Sequence, residues 1–250
     1  MNNYQKEFDF FQTKGYSLIK GALSKSDLDR IREATEELKQ GAKSMSNQVL
    51  FTHTDSPIDS PPLSTLMDQW LNPHRLTGFG STSALALKLE KIASQFFREP
   101  MQIYQDLILS KNTSHDEFPW HQDAPYWPIN FRQGATFWAP LCEVTESNGG
   151  LRIALDFQDK LYSAINLHTG ERQDGLTGFN PKIIETPRLN PGDLLVIGSQ
   201  TLHASGLRND GDERIAYASI FVDMDAKWDH HVAPNHPMCG ETDHGALLRG

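Results

Sequence analysis

The sequence predicts a mainly β fold led by helices, with its strands closing into a barrel or sandwich, and three observations carry that prediction. From residue 101 onward the chain is a series of short β-branched and aromatic runs, QIYQDLILSK, GATFWAPL, LRIAL, KIIET, DLLVIG and RIAYASIFV, separated by Gly, Pro, Asn and Asp. Before residue 101 the apolar residues recur instead at helical spacing. The 18 Gly, 14 Pro and 10% aromatics suit a turn-rich globular chain and not a helical bundle or a disordered chain.

The elements follow in order. The aromatic segment Tyr4 to Lys14 reads as a short helix closed by Gly15, and Tyr16 to Lys20 as a strand. Ser24 or Ser26 can cap a helix running to Gln40, with Leu28, Ile31, Thr35 and Leu38 on one face and Gly41 at its end. Residues 44–62 mix Ser, Thr, Asp and Pro without periodicity and read as a loop over a pocket, in which His53 is a candidate substrate contact. A third helix is expected over Ser83 to Arg98, carrying Leu87, Ile92 and Phe96, with Pro100 as its stop. Two sharp turns punctuate the β-rich part: Ser147-Asn148-Gly149-Gly150, and Asn190-Pro191-Gly192-Asp193 leading into an apolar strand. No repeat or linker interrupts the chain, so one domain over 1–250 is expected, helical over about 1–100, β-rich over about 101–225 and ending in a tail over about 226–250.

Charge and cysteine content narrow the function. Lys+Arg total 23 against Asp+Glu 32, a net charge of -9, which is the wrong sign for a partner with a phosphate backbone. No apolar run approaches the roughly 18 residues of a membrane span, and MNNYQKEFDF has neither the basic nor the apolar region of a secretion signal. Cys142 and Cys239 are too few for a disulfide framework, so the expectation is a cytoplasmic protein with neither a nucleic acid nor a membrane as partner. Cys142, beside Pro140 in an apolar run, reads as a buried small hydrophobe. The sequence leaves the oligomeric state open.

The chemistry concentrates in Trp120-His121-Gln122-Asp123. In an extended chain, positions i and i+2 point to one side, so the His121 imidazole and the Asp123 carboxylate can grip one cation together. A third ligand is available in His203, just past the strand expected over Asp193 to Gly198. Two His and one carboxylate leave open positions suited to Fe(II) that must also bind a co-substrate and O₂, and do not suit a closed structural zinc site. Arg214 opens a strand on which Arg214, Ala216 and Ala218 share a face. A guanidinium above small side chains can hold the distal carboxylate of 2-oxoglutarate in a bidentate pair. Gln105 and Ser205 are further candidate hydrogen-bonding contacts to the co-substrate.

These segments resemble the phytanoyl-CoA dioxygenase family of Fe(II)/2-oxoglutarate oxygenases, which includes the ectoine hydroxylases. The resemblance runs from Glu7 to Gly21 through Trp120-His121-Gln122-Asp123, Val144 to Arg152, Pro191-Gly192-Asp193 and His203 to Arg214. It implies a double-stranded β-helix, or cupin-like jelly roll, with helices packed on one side. By the same resemblance His121, Asp123 and His203 hold iron, Arg214 anchors 2-oxoglutarate, and Gln105 aligns with a co-substrate contact. The chain departs from the family after Gly150-Leu151-Arg152, where Ile153 to Lys160 replaces the usual Pro-Gly-Ser-His stretch. Related halogenases carry a small residue where Asp123 stands, so Asp123 implies oxygenation.

The expectation is therefore a dioxygenase that uses Fe(II), 2-oxoglutarate and O₂, with ascorbate as the reductant in an assay, and hydroxylates a C–H bond of a small metabolite with release of succinate and CO₂. Desaturation, epimerisation or cyclisation of a natural-product intermediate draws on the same cofactors. A non-catalytic jelly-roll binding module is the alternative from another class, and succinate formation separates the two. Among the aromatics Trp120, Tyr126, Trp127, Phe137 and Trp138, the candidates for substrate contact are Trp127 and Trp138. His230, His231, His236, Cys239 and His244 look like a metal-binding tail, but their irregular spacing fits no tetrahedral site and reads as a polar loop.

Overall fold

The computed structural model describes residues 4–41, 67–71, 73, 80–155, 161–162, 180–209, 213–234, 237–240 and 242–248. Its elements are α1 (Gln5–Lys14), β1 (Tyr16–Ile19), α2 (Lys25–Gly41), β2 (Asp68–Leu71), α3 (Gly80–Phe97), β3 (Met101–Lys111), β4 (Phe118–His121), β5 (Ile129–Asn130), β6 (Gly134–Pro140), β7 (Leu151–Ala154), β8 (Ile184–Glu185), β9 (Leu194–Gly198), β10 (His203–Ser205), β11 (Arg214–Asp223) and β12 (Lys227–Trp228). A major sheet has the order β1-β9-β6-β11-β3-β2, a minor sheet β4-β10-β7-β8, and β12 pairs with β5. Every strand pairing is antiparallel. Two facing antiparallel sheets with helices on one outer face form the expected jelly roll.

The apolar runs explain this layering. Strands β6, β9 and β11 are buried along nearly their whole length, because their alternate residues enter two different cores. Phe137, Val196, Tyr217 and Phe221 face the helices, where they meet Ile31, Leu38, Leu85, Leu89 and Phe96. Trp138, Leu195, Ile197, Ala216 and Ala218 point the other way and pack with Leu151 and Ile153 of the minor sheet. The aromatic first helix serves the outer core, with Phe8 and Phe11 set edge-on to Phe96 and Phe97. Each such pair contributes about 0.5 to 1.5 kcal/mol beyond area burial.

Local signals set the helix ends. Gly15 ends α1 in the left-handed conformation, φ 76°, and donates its amide to Phe11 O. Ser24, and not Ser26, caps α2: its Oγ accepts the Asp27 amide at 3.3 Å while Asp27 Oδ2 accepts the Ser24 amide at 2.8 Å. The face Leu28, Ile31, Thr35 and Leu38 is buried as expected. In α3 the expectation needs correction. The helix starts at Gly80, and Leu87 is 59% exposed while Leu85 and Leu89 are fully buried. Position 87 lies off the stripe that Leu85, Leu89, Ile92 and Phe96 form.

Two further expectations shift. KIIET contributes only the pair Ile184–Glu185, at the edge of the minor sheet, with Ile183 and Ile184 exposed. Cys142 lies beyond the end of β6, half-buried in a cleft of about 320 Å³ lined by Arg32, Glu36, Leu141, Glu213 and Ile215. The loop over residues 44–62, with His53, and the stretch Asp156 to Lys160 lie outside the described residues. Among the described residues no helix is long and apolar enough to cross a membrane.

Candidate active site

The minor sheet places the two histidines. Strand β10 lies between β4 and β7, and its register sets His203 directly opposite His121. The two imidazole centroids are 4.1 Å apart. His203 lies just past β9, as expected, and opens a short strand of its own. Asp123 arrives differently from the expectation. Strand β4 ends at His121, and Asp123 has helical backbone angles, φ -77° and ψ -41°, at the start of the single 3-10 turn Ala124–Tyr126. A turn, and not strand alternation, swings its carboxylate back over His121.

Hydrogen bonding decides which atoms face one another. His121 Nδ1 lies 2.9 Å from Pro119 O, and His203 Nδ1 lies 2.9 Å from Thr201 O. A carbonyl only accepts, so each Nδ1 carries the proton and each Nε2 presents a lone pair. Both Nε2 atoms converge on Asp123 Oδ1, at 3.7 Å from His121 and 3.6 Å from His203. Asp123 Oδ2 is turned away and accepts the Thr136 hydroxyl at 2.6 Å. Three metal-facing atoms thus meet, and a divalent cation at about 2.1 Å from each would satisfy them after a contraction of less than about 1 Å. The residues fit a metal that keeps open positions.

Thr136 was not visible in the sequence as a site residue, since it looks like one more member of an apolar run. Its hydroxyl fixes which carboxylate oxygen is offered. Thr136→Val is expected to lower Fe(II) affinity by about 10- to 100-fold, whereas Thr136→Ser retains it, as measured by equilibrium metal binding.

A second group of side chains sits beside this triad. Arg214 begins β11, and the β11–β3 register places it directly opposite Lys111. Both are almost fully buried. Arg214 donates to Gly149 O, and its guanidinium carbon lies 5.4 Å from the centroid of the Trp138 ring. Its Nε has no hydrogen-bond partner among the described residues. Lys111 donates from Nζ to Ser205 Oγ at 3.2 Å. Burial pushes the Arg214 pKa down to about 10, and burial together with the Arg214 charge pushes that of Lys111 down to about 8. Among the described residues neither cation is ion-paired with a carboxylate. Two buried positive charges that lack a directly paired anion among the described residues cost several kcal/mol, which an anionic ligand would offset. Lys111 closes an apolar run in the sequence, and its role emerges only from the strand register.

The turn Ser147-Asn148-Gly149-Gly150 shapes this pocket. Asn148 Oδ1 accepts the Thr145 amide at 2.8 Å, and Gly149, at φ 83°, aims its carbonyl at Arg214. Of the other expected residues, Ser205 is buried two positions past His203 and accepts from Lys111. Gln105 is buried on the β3 face that alternation shares with Leu107, Leu109 and Lys111. Trp138 is buried against Arg214, a cation–π contact of about 1 to 2 kcal/mol when desolvated. Trp127 is committed to a separate aromatic core with Tyr104, Ile129 and Trp228. The structure thus brings His121, Asp123 and His203 together, sets Arg214, Lys111, Ser205 and Trp138 beside one another, and leaves Trp127 in packing.

Comparison with known proteins bears on the fold and the family. In fold the chain is similar to SnoK, a non-haem alpha-ketoglutarate-dependent carbocyclase from nogalamycin biosynthesis, with a TM-score of 0.77 and 16% identity over 98% of this chain and 93% of that one. It is similar to the epimerase SnoN, solved with Fe3+, alpha-ketoglutarate and nogalamycin RO, with a TM-score of 0.73 and 16% identity over 98% of this chain and 95% of that one. Its fold also matches that of EctD from S. alaskensis, solved with 2-oxoglutarate and 5-hydroxyectoine, with a TM-score of 0.69 and 14% identity over 90% of this chain and 78% of that one. No curated protein matches the sequence significantly. The phytanoyl-CoA dioxygenase (PhyH) family profile matches residues 11–216. With most of its length matched and a His-Asp-His cluster in place, the chain belongs to the phytanoyl-CoA dioxygenase family and is an oxygenase that depends on iron and 2-oxoglutarate.

Proposed function

We propose that His121, Asp123 and His203 hold the iron of this oxygenase, that Arg214 and Lys111 take the distal carboxylate of 2-oxoglutarate, and that the enzyme hydroxylates a small metabolite. The observation that carries the reading is the pair of buried cations, neither of them ion-paired with a carboxylate among the described residues, on strands that border the His-Asp-His cluster. When bound, iron and 2-oxoglutarate supply the activation of O₂ and the oxidation of a substrate C–H bond, with succinate and CO₂ as co-products. The protein's own part is to orient and shield. The Nδ1 hydrogen bonds hold both imidazoles in the metal-binding tautomer, and Thr136 points Asp123 Oδ1 inward. Trp138 covers the Arg214 guanidinium and helps keep it dry. Ser205 and Gln105 lie on the same faces and contribute hydrogen bonds to the co-substrate. Residues 1–250 act as one catalytic domain, and the two free cysteines fit a reducing cytoplasm.

The anchor is tested by titrating 2-oxoglutarate and pyruvate into Mn(II)-loaded protein without O₂. Pyruvate keeps the 2-oxo acid and lacks the distal carboxylate, so it is expected to bind at least about tenfold more weakly. Equal affinities would remove the anchor role.

The pH dependence has a definite sign. Burial lowers the Lys111 pKa to about 8 in the ligand-free protein, and a bound carboxylate favours the charged form. Affinity for 2-oxoglutarate is therefore full below about pH 8 and falls by up to about tenfold per unit above it. Lys111→Met should bind more weakly at pH 7 and lose this dependence. Calorimetric titration between pH 7 and 9 reads both.

The whole-chain likeness in fold to a carbocyclase and an epimerase favours a second outcome for the same cofactors, namely desaturation, epimerisation or ring closure on a natural-product intermediate. Product mass after turnover in ¹⁸O₂ separates the outcomes: hydroxylation adds one labelled oxygen, and the others add none.

A further inference from the structure

We propose that Asp229, His231 and His244 form a second metal site, at the surface, for a borderline transition ion such as Zn²⁺. Linear spacing argues against it, but the fold assembles what the spacing does not. Asp229 and His231 follow directly on β12, while His244 arrives from a segment that returns alongside the same strand. That return is a backbone ladder: Gly245 donates to Trp228 O at 2.7 Å, Trp228 to Ala246 O at 2.9 Å and Leu248 to Ala226 O at 3.2 Å. Asp229 is held at the other side by its own amide, which donates to Pro128 O at 2.8 Å.

One ligand atom from each of the three residues lies within 4.8 Å of the other two. Asp229 Oδ1 is 3.9 Å from His244 Nδ1, and the His231 and His244 rings are 4.8 Å apart. Tetrahedral zinc ligands lie about 3.4 Å from one another, so the closure needed is about 1 Å, within reach of exposed side chains. Metal on His244 Nδ1 would replace the long 3.3 Å hydrogen bond which that atom accepts from the His230 amide. His230 itself is turned aside, with Nε2 3.1 Å from Thr242 Oγ1. Two imidazoles and one carboxylate select Zn²⁺, Ni²⁺ or Cu²⁺ over Ca²⁺ or Mg²⁺, with water completing the shell. A bound ion would tie the residues after β12 to the returning segment and so fasten the chain end over buried Trp228.

This site is independent of the iron-site reading, and the test keeps the two apart. Tag-free protein is dialysed against Zn²⁺ at about 0.1 mM and its metal content measured, with thermal midpoints followed in parallel. Wild type is expected to hold two ions, His244→Ala one, and the double variant His121→Ala/His203→Ala one. The double variant is also expected to gain about 5 °C in midpoint on adding Zn²⁺. Adding His244→Ala, His231→Ala or Asp229→Ala to that background should remove the ion and the gain, whereas adding His230→Ala should leave both. A double variant that binds no ion, or binding that survives loss of His244, overturns the proposal. So does binding lost equally on replacing His230, which would mean diffuse association with exposed imidazoles.

Discussion

Arg214→Ala is expected to weaken 2-oxoglutarate binding by roughly 10- to 150-fold, the equivalent of about 1.5 to 3 kcal/mol for a hydrogen bond to a charged group. Arg214 is buried, within cation–π distance of Trp138 and set opposite Lys111, so a co-substrate carboxylate would meet it out of water. The variant keeps Lys111, which retains part of the charge but offers no planar fork. Arg214→Lys should fall between wild type and Arg214→Ala, because the ammonium replaces the charge without the bidentate geometry. Iron binding should change little in either variant, since Arg214 touches none of the three metal-facing atoms. Calorimetry with 2-oxoglutarate on Mn(II)-loaded protein reads the first effect and metal stoichiometry the second. Unchanged 2-oxoglutarate affinity in both variants would remove Arg214 from the site.

His203→Ala is expected to abolish turnover and reduce bound iron from about one per chain to near zero, with the fold intact. The cross-strand pair His203–His121 and the shared contact with Asp123 Oδ1 make each ligand depend on the other two. The strand survives because Ala204 and Ser205 keep their pairing with Arg152 and Leu151, and neither needs the imidazole. Asp123→Ala should lose iron to a similar degree and also leave the Thr136 hydroxyl without its acceptor. Far-UV circular dichroism checks the fold and atomic absorption the iron. A His203→Ala protein with full iron and activity would refute the ligand assignment.

Long apolar runs made the major sheet legible, because β3, β6, β9 and β11 are buried on both faces and carry continuous β-branched and aromatic residues. The minor sheet was less so. Strand β4 is four residues including Pro119, and β10 is His203–Ser205, too short for an alternation to appear. His121, Asp123 and His203 do meet in the fold, yet the way they approach one another differs from the expectation. Asp123 reaches His121 through a 3-10 turn, which the i, i+2 rule does not describe. Lys111 and Thr136 were invisible because their meaning is relational: one needs the β3–β11 register, the other the position of Asp123 Oδ2. The approach of His244 to Asp229 was hidden for the same reason, since a backbone ladder onto β12, and not local spacing, brings the two together.

The most direct test of the central claim is the succinate formed from 2-oxoglutarate by wild-type protein in O₂ with Fe(II) and ascorbate, measured beside His121→Ala, Asp123→Ala, His203→Ala and Arg214→Ala. The account predicts iron-dependent succinate from wild type, stimulated by the right substrate. It predicts none from the three ligand variants, and for Arg214→Ala a rate restored only at much higher 2-oxoglutarate. Iron-dependent succinate persisting undiminished when His121, Asp123 and His203 are each replaced would contradict it.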